Sequence, residues 1–239
     1  MSGHSKWSKV KHQKATTDVA KAAAFTRATR GITIAVKEGG GVTDPNLNFH
    51  LRLSIEKARA VNMPKDNIER AIDKAKGSDA QMFHQVAYEA YGPFGIAMYI
   101  EAATDNINRT VSFLKQAIDH AGGSMATPGA VSYLFKNQGV ILVPKEIAYD
   151  TLLEYALEVG ADDVVEKEDV FELYTKPEEL FRVKTNLDKK VRIDSFFIVR
   201  VSKVGIQLPG EKQSIIENLI EHIEESDDVQ RVFTNLTII

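Results

Sequence analysis

Apolar and polar positions change period twice along the chain. From residue 17 to 38, Phe25, Ala28, Ile32, Ala35 and Val36 fall on one helical face, with Arg27, Arg30 and Lys37 opposite. Lys21 departs from this division and lands near the apolar side. Gly39, Gly40 and Gly41 supply the left-handed conformations that stop a helix. A second helix is predicted over 47–61, with Leu47, Leu51, Ile55 and Ala58 inward, and a third from Pro64 to Lys76, burying Ile68, Ala71 and Ile72. After Gly77 the period shortens. Residues 86–91 and 96–100 read as strands joined by Gly92-Pro93-Phe94-Gly95. Thr104 or Asp105 caps a helix running to about residue 121 on Val111, Leu114 and Ile118.

Residues 139–201 then alternate as strand, helix, strand, strand, helix, strand, over 140–143, 147–159, 163–165, 170–174, 177–188 and 193–201. That order suggests a ferredoxin-like unit. The tail reads as a strand over 204–208, a helix over 211–225 and a strand over 229–238, too little to bury a core alone. The prediction is an α+β fold: an N-terminal three-helix domain followed by two α/β sandwich-like domains, the third (ferredoxin-like) inserted in the second. The expected boundaries are 1–77, then 78–135 plus 203–239, with 136–202 as the insertion.

Composition narrows the class. The 239 residues are 44% hydrophobic and 26% charged, ordinary for a globular protein. No stretch approaches the roughly 18 apolar residues of a membrane helix. The polar, basic start lacks the apolar core of a secretory signal, and its lysines fit a mitochondrial leader less well than arginines and serines would. The chain has no cysteine, which excludes disulfides, thiolate zinc sites and cysteine nucleophiles. These features point to a cytoplasmic protein with no cofactor, structural metal or membrane contact.

Net charge is −3, but residues 1–76 hold 15 basic against 7 acidic side chains (+8), leaving 15 against 26 (−11) for the rest. Such asymmetry suits a polyanion-binding part joined to an acidic one, since each phosphate neutralised by Lys or Arg releases condensed counterions. A basic helical domain docking on its own acidic neighbours reads equally well from charge alone.

The basic arm concentrates this chemistry. Lys6, Lys9, Lys11, His12 and Lys14 surround Trp7. Their cationic groups can track phosphates while the indole stacks on a base; alternatively the arm is a solvated leader tacked down by its Trp. The glycine run 39–41 follows a helix and lacks the Gly-Lys-Ser/Thr ending of a phosphate loop, so it reads as a helix stop. The acidic groups Asp162, Asp163, Glu166, Glu168 and Asp169, and Glu221, Glu224, Glu225, Asp227 and Asp228, read as solvated turns. A metal-dependent nuclease built on the first of them is the enzymatic alternative. The histidines at 4, 12, 50, 84, 120 and 222 show no zinc spacing. Arg109, in the first turn of its helix, opposes the helix dipole and calls for an anion, most simply an internal carboxylate.

Several motifs carry a resemblance. Gly3-His4-Ser5-Lys6-Trp7, Ala35-Val36-Lys37-Glu38-Gly39-Gly40, the run from Asn62 through Ile72, Tyr88-Glu89-x-Tyr91-Gly92-Pro93, Thr104-Asp105-Asn106-x-Asn108-Arg109-Thr110 and Asp227-Asp228-Val229-Gln230-x-Val232 with Asn235 resemble the YebC/PmpR family across the whole chain. The resemblance implies three domains with the third inserted in the second, and a DNA-binding transcriptional regulator. It also admits a translation factor acting on the ribosome or its RNA, because a mitochondrial relative activates translation of cytochrome c oxidase and bacterial members are linked to ribosomes stalled on proline-rich stretches. This chain departs from the family at Ala20-Lys21-Ala22-Ala23-Ala24-Phe25, where relatives carry more basic residues. The expected nucleic-acid contacts are Lys6, Trp7, Lys9, Lys11, His12, Lys14, Arg27, Arg30 and Lys37, with no catalytic residue and no small-molecule substrate. The expected partners are DNA or ribosomal RNA, with the ribosome or the transcription machinery.

Overall fold

The computed structural model describes residues 18–77 and 83–237. Helix α1 (Asp18–Glu38) ends where the glycines begin: the Gly41 N–H returns to the Val36 carbonyl, and Gly40 and Gly41 take φ of 67° and 84°. Helix α2 (Phe49–Ala60) starts two residues later than its periodicity predicts, because the buried Asn48 side chain caps it by accepting the Leu51 N–H at 3.0 Å. The same amide donates to the carbonyls of Ala35 and Val42, so one side chain fixes the whole connection. Leu47, expected inside, is therefore left in the turn with 78% of its surface exposed. Helix α3 (Lys65–Lys74) follows Pro64, which sits at its N-cap. Ile32, Ala35, Val36, Leu51, Ile55, Ala58, Met63, Ile68, Ala71 and Ala75 close the core of these three helices.

The first sheet has the order β3-β1-β2-β8, built from β1 (His84–Tyr91), β2 (Ala97–Thr104), β3 (Ser124–Ala126) and β8 (Val229–Thr234). β1 and β2 form an antiparallel hairpin, with Ala90 opposite Met98, around a turn in which Phe94 takes φ 61°. On one face, Tyr88, Ala90, Met98, Ile100 and Val232 pack against Leu114, Ala117 and Ile118 of α4 (Ile107–His120) and against Ile216, Leu219 and Ile223 of α7 (Gly210–Glu224). Helix α1 lies against β2 and β8. The predicted strand at 204–208 is reduced to a single parallel bridge between Ile206 and Leu236, made by Ile206 N–H to the Asn235 carbonyl and Thr237 N–H to the Ile206 carbonyl. Pattern reading also missed β3, whose three residues are too few to show a period.

Lys136–Val201 forms a separate compact unit, the remainder of the chain being the other. Its sheet has the order β5-β6-β4-β7, from β4 (Phe135–Pro144), β5 (Asp163–Glu166), β6 (Val170–Thr175) and β7 (Ser195–Ser202). Helix α5 (Tyr149–Val159) lies between β4 and β5 in sequence, and α6 (Leu180–Leu187) between β6 and β7. This is the strand order of a ferredoxin-like βαββαβ unit, so the predicted α+β class holds. No helix of the described residues is long and apolar enough to cross a membrane.

Candidate nucleic-acid interface

The arm residues Lys6, Trp7, Lys9, Lys11, His12 and Lys14 lie outside the described residues. Arg27, Arg30 and Lys37 do sit across α1 from its apolar stripe, but what faces the two arginines is protein. Arg27 Nη1 donates to the carbonyl of Glu224, the last residue of α7, at 3.1 Å, placing a cation at a helix C-terminus. Arg30 Nη1 meets Asp228 Oδ1 at 2.6 Å, its side chain only 16% exposed, and its guanidinium stands 5.5 Å from the centre of the Phe83 ring. Lys37 is exposed and donates to the Phe83 carbonyl at 3.0 Å. The cationic face of α1 thus docks the helices onto the first sheet.

Elsewhere on the helical unit, exposed bases alternate with acids. Arg59 pairs with Glu56 at 2.7 Å, Lys65 with Glu69 at 3.5 Å and Lys76 with Asp73 at 2.7 Å. Such pairs contribute about 0–1 kcal/mol each and are screened by salt, so a phosphate can replace the acid at small cost.

Asp228 is the polar centre of the docking face, and it is buried, which corrects its reading as part of a solvated acidic turn. Oδ2 accepts from Arg109 Nη2 at 2.8 Å and from the Thr110 hydroxyl at 2.8 Å, with the Thr104 hydroxyl at 3.2 Å. Oδ1 accepts from Arg30 and, at 3.0 Å, from Arg109 Nη2. The Thr104–Thr110 motif exists to build this centre. Asn106 caps α4 by accepting the Arg109 N–H, and Thr104 Oγ1 accepts the Asn106 N–H, which orients Arg109 and Thr110 toward the carboxylate. Arg109 finds the internal carboxylate its position called for in Asp228, and a second partner in Asp105, one turn before it, at 2.6 Å. Burial opposes ionisation of Asp228 most strongly, but the hydrogen bonds from Arg109 and Thr110 and the charges of Arg109 and Arg30 together hold its pKa below the ordinary aspartate value. Its charge, after burial, also pushes the Tyr88 phenol upward.

Glu89 is a second buried acid, satisfied differently. Its oxygens accept the N–H groups of Gly129, Val131 and Ser132 at 2.8, 2.6 and 2.9 Å, while Tyr91 Oη donates to the Ala130 carbonyl. Here too burial is the largest influence and is outweighed, this time by backbone amides, so the pKa is lowered. Periodicity gives no sign of either centre, because their partners are far apart in the chain.

In the 162–169 turn, Asp163 accepts its neighbour Val164's N–H at 2.8 Å, and Glu166 pairs with Lys145 at 2.7 Å. Among the described residues no group of three His, Asp or Glu side chains is arranged to hold a metal ion.

Comparison with known proteins aligns both parts of the chain. The model of the TACO1/YebC protein N-terminal domain matches residues 5–78, and that of the TACO1/YebC second and third domain matches residues 83–236. A protein of Persephonella marina is 41% identical over 98% of this chain and 95% of its own length. One from a Nitratiruptor species is 43% identical over 99% and 100% respectively. Both are named probable transcriptional regulatory protein. The crystal structure of a conserved hypothetical protein from Aquifex aeolicus superposes with a TM-score of 0.82 at 40% identity, covering 93% of this chain and 92% of that one.

Proposed function

The chain belongs to the TACO1/YebC family, and on that premise we propose that it regulates gene expression by binding DNA through its basic N-terminal part, without catalysis. The carrying observation is where the charge resides. Residues 1–17 hold four lysines and no acid, half of the +8 of residues 1–76, whereas the rest of the chain carries −11. Arg27 and Arg30 are engaged inside the fold, so the initial grip falls to the leading segment: Lys6, Lys9, Lys11, His12 and Lys14 on phosphates, with Trp7 on a base or sugar. Lys37 at the far end of α1 extends the track. Binding of this kind is driven by counterion release and discriminates weakly among sequences. The relatives' name, probable transcriptional regulatory protein, supports a nucleic-acid target, which this reading takes to be duplex DNA in the cytoplasm.

The test is competition between duplex DNA and structured ribosomal RNA for the purified protein over a salt series. The four lysines of the leading segment alone contribute about −3.6 to the slope of log K against log salt on duplex DNA, or roughly a hundredfold loss between about 50 and 200 mM salt. Preference for the RNA would replace the transcriptional reading with a ribosomal one. Absence of binding to either at low salt would refute both.

A further inference from the structure

We propose that the α1 face carrying Arg27 and Arg30 is a second phosphate-binding surface, latched shut by Asp228 and the C-terminus of α7, and that nucleic acid opens it. This rests on the nucleic-acid reading above. Beside the packing of α1 on β2 and β8 and the contacts of Arg30 and Lys37 with Phe83, the latch joins this helix to the end of α7 and the acidic turn after it through two polar contacts: Arg30 to the Asp228 carboxylate and Arg27 to the Glu224 carbonyl. Its construction permits release. With Arg30 withdrawn, Asp228 keeps Arg109, Thr104 and Thr110, so no buried carboxylate is stranded without a countercharge. The Glu224 carbonyl loses one donor at a helix end, where water can replace it.

The closed contact is also incompletely matched. Gln230 Nε2 is buried with no hydrogen-bond partner among the described residues. Gln230 faces α1 at Gly31, where a Cβ would stand 3.7 Å from its amide oxygen. Buried polar groups are ordinarily paired, so this amide marks a contact that is not packed to its optimum.

A phosphodiester competes well for what the latch holds. The guanidinium fork binds phosphate through two parallel hydrogen bonds, where Arg30 has one with Asp228. Delivery follows from the sequence, since the four-lysine segment runs directly into α1 at Asp18. Arg27 and Arg30 then lie about 14 and 18 Å further along the helix, within reach of the same duplex.

Two variants and one distance measurement decide it. Asp228→Asn weakens the latch and keeps both arginines, so duplex DNA affinity should rise on the order of fivefold. Arg30→Gln removes a contact, so affinity should fall and the salt slope should flatten by about one. Affinities equal to the parent for both variants would overturn the proposal, leaving the pair as architecture alone. Because Asp228→Asn can compromise folding, spin labels on Ala22→Cys and Glu225→Cys, in a chain without native cysteine, provide an independent readout. Their separation should lengthen at saturating duplex; an unchanged distance in a protein that binds DNA would sink the latch but spare the leading segment. If the parent binds neither duplex nor RNA at low salt, the underlying reading fails and the latch falls with it.

Discussion

Asp228 and Glu89 are buried acids of the same compact unit, and they solve the problem of burial in opposite ways. Asp228 recruits two arginines and two threonine hydroxyls from β2, α1 and α4. Glu89 recruits backbone amides from one short loop, residues 129–132. The first arrangement needs particular side chains at distant positions and joins separate elements through charge. The second needs only that a loop pass by, and it fixes that loop in one shape. A charge-based junction can exchange one anion for another, whereas an amide cradle matches its own carboxylate. That difference makes the Asp228 centre suited to regulation and the Glu89 centre to architecture.

The largest expected effect separates the two at their centres. Asp228→Ala leaves Arg30 and Arg109 without their shared acceptor and should cost roughly 3–5 kcal/mol in chemical denaturation. A loss under about 1 kcal/mol would mean the centre is dispensable. Glu89→Gln keeps the shape but offers three amides a single neutral oxygen, and should cost about 1–3 kcal/mol. Limited proteolysis at 129–132 should accompany that loss; a fully protected loop would contradict the cradle.

Acid titration sharpens the same comparison. Both carboxyls have folded pKa values below their unfolded values. Each therefore contributes stability fully present above the unfolded value, about pH 4, and lost as pH falls through the folded one. Stability measured downward from about pH 5 should decline, and should decline less steeply in Asp228→Asn and in Glu89→Gln. Parallel curves for parent and variants would show that neither group is linked to acid unfolding. The smallest effect belongs to the exposed helical pairs: Lys65→Gln, which breaks the 3.5 Å pair with Glu69, should change stability by less than about 0.5 kcal/mol.

Legibility in the sequence followed the range of the interaction. Helical periodicity found α1, α3 and the inserted unit's order of elements, because neighbours three or four residues apart carry that signal. It misplaced Leu47, since an aliphatic residue at helical spacing looks internal until Asn48 is recognised as the cap. It overstated the strand at 204–208, where a single bridge to Leu236 holds residues that alternate like a strand. The dipole argument showed that Arg109 needs an anion; Asp105, four residues before it, is one partner, but the other, Asp228, lies 119 positions away and no local pattern names it. Arg27 and Arg30 looked like a surface because polarity opposite an apolar stripe ordinarily means solvent. Here it means a second protein layer.

The central claim is that the leading segment grips nucleic acid through phosphate contacts, and one titration tests it most directly. Duplex DNA binding is measured against salt for the parent and for Lys9→Glu combined with Lys11→Glu, with thermal melts of both. The account predicts equal melting temperatures, weaker binding by the variant, and a salt slope shallower by about two. Identical affinity and slope in the two proteins would contradict it.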